Sequence, residues 1–154
     1  MLTVAVLLSG PHRTPWLRQA LESVPLSCER IDCLQIAHQQ GRWDWADDLR
    51  VQFEGHPKVQ IIEYPSRLDV GSSFTRHLES IRTPWALLLP DDDFLLPDAL
   101  GSALNCLPDP LEDCGLVAFG WYYYEEASRR YIRASPRWNG LGSVPNHIPK
   151  MPST

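Results

Sequence analysis

Three carboxylates in a row, Asp91-Asp92-Asp93, stand directly after the apolar run at residues 85–89. Adjacent carboxylates repel one another, so a fold keeps them only with a cation, a helix N-terminus or free solvation. A helix beginning near Pro97 could absorb part of the charge, but its reach fades within a turn. Oxygen-only ligands suit a hard ion such as Mg²⁺ or Mn²⁺, held by one or two carboxylates plus substrate phosphates. Two more polar clusters follow apolar runs: Ser9, Gly10, His12 and Arg13 after residues 3–8, and Ser66 to Gly71 after residues 59–64. In an open α/β sheet, ligands bind beyond the carboxyl ends of the strands, where all three clusters would lie.

The elements that must position these groups alternate along the chain. Residues 3–8 form a continuous apolar run, expected of a strand buried on both faces. Thr14 can cap a helix with Pro15 at its first position, and Trp16, Leu17, Ala20, Leu21 and Val24 share one face. Strands are expected at residues 31–37, 59–64 and 85–89. A helix opening at Asp44 places Ala46, Leu49 and Phe53 inward and stops at Gly55. A third helix, capped by Ser72 or Ser73, is expected to bury Phe74, Leu78 and Ile81. A fourth, from Pro97, buries Leu96, Leu100, Ala103, Leu104 and Leu107. Residues 115–124 suggest a fifth strand and residues 125–130 a hairpin turn into Tyr131 and Ile132. Strand and helix alternation predicts an α/β fold, a mainly parallel sheet with helices on both faces.

Composition narrows the function classes. The chain has 154 residues, 44% hydrophobic and 21% charged, which is globular and not disordered. A net charge of −5 argues against nucleic acid as a partner. No apolar run reaches the roughly 18 residues of a membrane span, and the opening residues read as a strand and not a leader. Cys28, Cys33, Cys106 and Cys114 lack zinc-site spacing and fall partly in apolar segments, so a reduced, cytoplasmic setting is expected. Prolines 136, 145, 149 and 152, set among Gly and Ser, mark residues 135–154 as a tail to a domain at residues 1–134. No phosphate-loop or dinucleotide glycine signature is present.

The stretch from Val4 to Arg13, followed by Leu17 and Ala20-Leu21-Glu22-Ser23-Val24, resembles the opening of family 2 glycosyltransferases. Asp69-Val70-Gly71 and Arg76-His77 resemble that family's Asn-x-Gly and Arg-Asn pair, and Trp85 to Leu100 resembles its strand, acidic motif and following helix. The matches span residues 3 to 105. The resemblance implies a GT-A fold, a Rossmann-like sandwich that binds a nucleotide-diphosphate sugar, a UDP-sugar first, through Mn²⁺ or Mg²⁺. It implies Asp92 as the metal contact, Asp93 assisting it and Asp91 facing the ribose, with the register open by one residue. Arg76, and Arg13 with Ser9 in the first loop, would lie on the nucleotide or diphosphate side. The implied reaction is direct displacement at the anomeric carbon, with the sugar passing to a hydroxyl of an acceptor glycan or lipid.

The sequence also departs from that family. The second strand ends in Ile36-Ala37-His38-Gln39-Gln40, without the usual acid, which leaves His38 or Gln39 to meet a base. The first loop has Ser-Gly-Pro-His where Pro-Thr-Tyr-Asn is usual. No motif for the catalytic base follows the acidic triplet, so no catalytic residue is assigned. These departures favour an alternative, a non-catalytic GT-A-like module serving as a binding or scaffold domain. Trp121 and Tyr122 to Tyr124 are candidates either for sugar stacking or for core and edge positions.

Overall fold

A computed structural model describes residues 1–8, 14–40, 47–65, 68–96, 99–105, 107, 122–125 and 130–133. Four strands, β1 (Leu2–Leu7), β2 (Ile31–Gln39), β3 (Val59–Tyr64) and β4 (Trp85–Leu88), form one sheet in the order β3-β2-β1-β4, every pairing parallel. Helices α1 (Thr14–Glu22), α2 (Asp47–Phe53) and α3 (Val70–Ser80) connect successive strands, and α4 (Ala99–Asn105) follows β4. This is an α/β architecture compatible with a Rossmann-like fold. The chain divides into two compact units, Met1–Leu104 and Asn105–Thr154. In the second unit, β5 (Tyr122–Glu125) pairs antiparallel with β6 (Arg130–Arg133), matching Tyr123 to Ile132 and Tyr124 to Tyr131. Among the described residues these two strands, which flank the expected turn, form a two-stranded sheet of their own, while residues 115–121 and 126–129 lie outside the described residues.

Strand order decides which helix covers which face. Crossovers between parallel strands are right-handed, so β1-α1-β2 and β2-α2-β3, which step in the same direction, put α1 and α2 on one face. The step from β3 back past β2 and β1 to β4 reverses direction and puts α3 on the other. Side-chain bonds agree: Arg18 of α1 pairs with Asp48 of α2 and approaches Gln52 Oε1 at 3.5 Å. α3 instead bonds to β2, through Ser73 and Ser80.

The two faces differ in chemistry. Alternation and register place Leu2, Val4 and Val6 of β1 beside Ile31, Leu34 and Ile36 of β2, with His38 further along the same face, the α1/α2 face. Leu17, Ala20, Leu21, Leu49 and Phe53 pack there, each 6% exposed or less, and this is the apolar core. The α3 face carries Thr3 and Ala5 beside Cys33, Gln35, Ala37 and Gln39, with Gln60 and Tyr64 from β3. Its helix does not bury the expected Phe74, Leu78 and Ile81 stripe. Leu78 is 39% exposed, while Ser73 and His77 are fully buried. The helix is turned so that Ser73, His77 and Ser80, at i, i+4 and i+7, face the sheet. Polar residues on the facing strand supply the reason: Gln39 Nε2 donates to Ser73 Oγ at 3.4 Å and to the Leu68 carbonyl at 2.8 Å. Ser80 Oγ lies 3.3 Å from Gln35 Oε1, and Gln35 donates to Gln60 at 2.9 Å.

Local signals explain the element ends. Asp69, not Ser72 or Ser73, caps α3: its extended backbone turns Oδ1 onto the Ser72 N–H at 2.9 Å and Oδ2 onto the Ser72 hydroxyl at 2.6 Å. A Cβ on Gly71 would lie 3.2 Å from Asp69 Oδ1, so glycine there leaves the capping carboxylate room. Gly55, two residues past α2, has φ +85° and ends that helix in the left-handed region. Among the described residues no helix is long and apolar enough to cross a membrane, and the described cysteines, Cys28 and Cys33, are free thiols.

Candidate site at the switch point of the sheet

The connections leave β1 toward β2 and enter β4 from β3, so the direction of winding reverses between β1 and β4. In doubly wound sheets such a reversal is the place where ligands bind, beyond the carboxyl ends of the two strands. The loop after β1 contains Ser9 and Arg13, which lie outside the described residues. The loop after β4 is the acidic triplet. Leu89 N–H continues the ladder onto the Ala5 carbonyl at 3.0 Å, so the strand reaches its end beside the last residues of β1. The Asp93 N–H then bonds to the Pro90 carbonyl at 3.2 Å, closing a four-residue turn whose central pair is Asp91 and Asp92.

Within that turn the carboxylates part company. Asp91 is 3% exposed, whereas Asp92 and Asp93 face solvent. Two outward carboxylates at the end of β4 match in donor type and number what a hard cation takes when phosphates complete its shell. Among the described residues, no group of three or more His, Cys, Asp or Glu side chains could by itself hold a metal. Beyond the turn the chain runs back toward α1, where the Leu95 N–H donates to Ser23 Oγ at 3.0 Å.

The other two described candidates lie on opposite sides of the sheet. His38, near the end of β2, lies on the α1/α2 face and is 4% exposed, with Nδ1 3.1 Å from the Gln39 carbonyl oxygen. Arg76 is exposed on α3, on the opposite side of the sheet. Gln39, the alternative to His38 for a base contact, spends its amide on Leu68 and Ser73. Asp69 is occupied as a helix cap, and the Ser72 hydroxyl and N–H hold its carboxyl below the usual carboxylate range.

Two buried polar groups went unremarked in the sequence. Tyr64 Oη and His77 Nε2 are enclosed and have no hydrogen-bond partner among the described residues. Burial pushes the Tyr64 phenol up and the His77 imidazole down, each disfavouring its charged form. The spacing of Ser73, His77 and Ser80 was the available signal, a polar seam at helical period facing Gln35 and Gln39. No protein-family model matches the chain, and no match is found among curated proteins or solved structures.

Proposed function

We propose that the first unit is a nucleotide-diphosphate-sugar-binding domain of glycosyltransferase type, with the turn at Asp91–Asp93 holding a divalent cation at the donor diphosphate. The observation that carries this reading is positional: the chain's one acidic triplet forms the turn at the end of β4, where the winding of the sheet reverses. Asp92 and Asp93, both outward, would hold Mn²⁺ or Mg²⁺, and the buried Asp91 would fix the turn or meet the ribose. Bound there, the ion would offset charge gathering on the departing diphosphate. Arg76 would serve at the diphosphate only if donor binding recruits it across the end of the sheet. A UDP-sugar is the first donor to test, and the acceptor would be a glycan or lipid hydroxyl.

Calorimetric titration of UDP and other nucleoside diphosphates, with Mn²⁺ or with EDTA, tests the reading on the native chain and Asp92→Ala. Metal-dependent heat that disappears in the variant is expected. Absence of nucleotide binding under either condition overturns the proposal. Binding without donor hydrolysis favours the second reading, a non-catalytic module, which rests on the burial of His38 where a base-reading group would be needed.

A further inference from the structure

The seam that docks α3 joins two observations: His77 is 1% exposed, and its Nε2 has no hydrogen-bond partner among the described residues. Its surroundings can be read from the register. On the sheet face that α3 packs against, register places Thr3, Ala5 and Leu7 of β1, Cys33, Gln35, Ala37 and Gln39 of β2 and Ile62 and Tyr64 of β3, while Gln60 of β3 and Ala86 and Leu88 of β4 continue that face but are exposed. None of these is a carboxylate. Asp32 sits in the register shift at the start of β2 and is exposed, and Glu63 points to the opposite face. The titratable groups on this face are the Cys33 thiol and the Tyr64 phenol. Burial raises both, so both are neutral across the range in which an imidazole gains a proton. On α3 and its flanks, Arg76 and Arg82 are cationic, while Asp69 is committed to the cap and Glu79 is exposed.

We propose that protonation of His77 releases α3 from the sheet, making the docking of this helix a pH-sensitive device. A charged imidazolium in place would carry a buried Nε2–H that, among the described residues, has no hydrogen-bond partner in reach and no carboxylate on the facing side of the strands. Such a group is relieved by moving to water. Once α3 lifts, Gln39 loses Ser73, and the segment leading into β4 loses its tether. Burial sets the sign: docked, His77 binds its proton below the ordinary value of about 6.5; lifted, it returns to that value. The lifted state therefore holds more protons once the pH falls below the ordinary value. Docking weakens from there until the docked value is passed, by at most about tenfold per pH unit for one proton.

Amide hydrogen exchange from about pH 7.5 to about pH 5, expressed as protection factors, reads this directly. Protection of the α3 amides is expected to fall below about pH 6.5, while β1 amides keep theirs, and His77→Gln is expected to flatten the α3 profile. A flat α3 profile in the native chain, parallel loss in β1, or an unchanged slope in His77→Gln overturns the proposal. Should His77→Gln not fold, the imidazole of the native chain is followed by NMR. A His77 titration midpoint coinciding with the loss of α3 protection supports the device, and a titration with no accompanying loss refutes it.

Discussion

The orientation of α3 makes a sharp prediction, because apolar periodicity and the structure name different buried faces. Leu78 is 39% exposed, so Leu78→Ala removes three carbons that are only partly sheltered and leaves no enclosed cavity. At about 0.8 kcal/mol per fully buried methylene, the loss is about 2.4 kcal/mol for complete burial and roughly 1.5 kcal/mol once the exposed fraction is discounted. Leu17 of α1 is fully enclosed, and Leu17→Ala adds a cavity to the transfer loss, for a cost of about 3 to 5 kcal/mol. Ser73→Leu would force a larger side chain against β2 and remove an acceptor from Gln39, costing roughly 1 to 3 kcal/mol. Urea unfolding of the three variants, compared at a common slope, gives the order Leu17→Ala above Ser73→Leu, with Leu78→Ala mild. If Leu78→Ala cost as much as Leu17→Ala, or if Ser73→Leu were neutral or stabilising, the polar seam would not be the docking face.

Two further outcomes follow from local geometry. A Cβ on Gly55 would meet nothing within 4 Å, so Gly55→Ala should cost only its left-handed backbone, about 1 to 2 kcal/mol in the same unfolding assay, with no repacking. The Arg18 pairings with Asp48 and Glu22 join side chains about half exposed, so Arg18→Ala should lower stability by less than about 1 kcal/mol, with the loss shrinking as salt is added.

Much of the sheet could be read before the structure because its strands are unambiguous at the level of pattern. Residues 59–64 match β3 at both ends, and the central strand β1 shows as the uninterrupted apolar run that burial on both faces demands. Helix α3 forms where a helix is expected, but its start and its buried face differ from the apolar pattern for separate reasons. Asp69, Ser72 and Ser73 are all good caps, and only the backbone at Asp69 settles which one turns its side chain onto the free N–H groups. The face differs because hydrophobic periodicity carries no trace of a polar seam that gains its partners from another strand. Gln35 and Gln39 lie more than thirty residues before Ser73 and Ser80, and their pairing exists only after the crossover. At the site, the position of the acidic triplet is legible from the apolar strand before it. The division of labour within it is not, since the turn bond from Asp93 to Pro90 decides which carboxylate is enclosed.

The contrast between the two faces bears on how the site is held. The α1/α2 face is joined by apolar contact, which has no preferred direction and tolerates small shifts of one layer over another. The α3 face is joined by hydrogen bonds from Ser80 to Gln35 and from Gln39 to Ser73, which lose strength quickly when distance or angle changes. Helix α3 delivers the chain to β4, and β4 ends in the acidic turn, so the register of that turn depends on the directional face. The link continues through Thr83, whose hydroxyl lies 2.7 Å from that of Thr3 on β1 and 2.7 Å from the Trp85 carbonyl as β4 begins. A chain of bonds thus ties the start of the switch-point strand to its neighbour. Any ligand at Asp91–Asp93 that needs a fixed spacing between the β1 and β4 loops would feel a disturbance of the α3 seam before one of the apolar core.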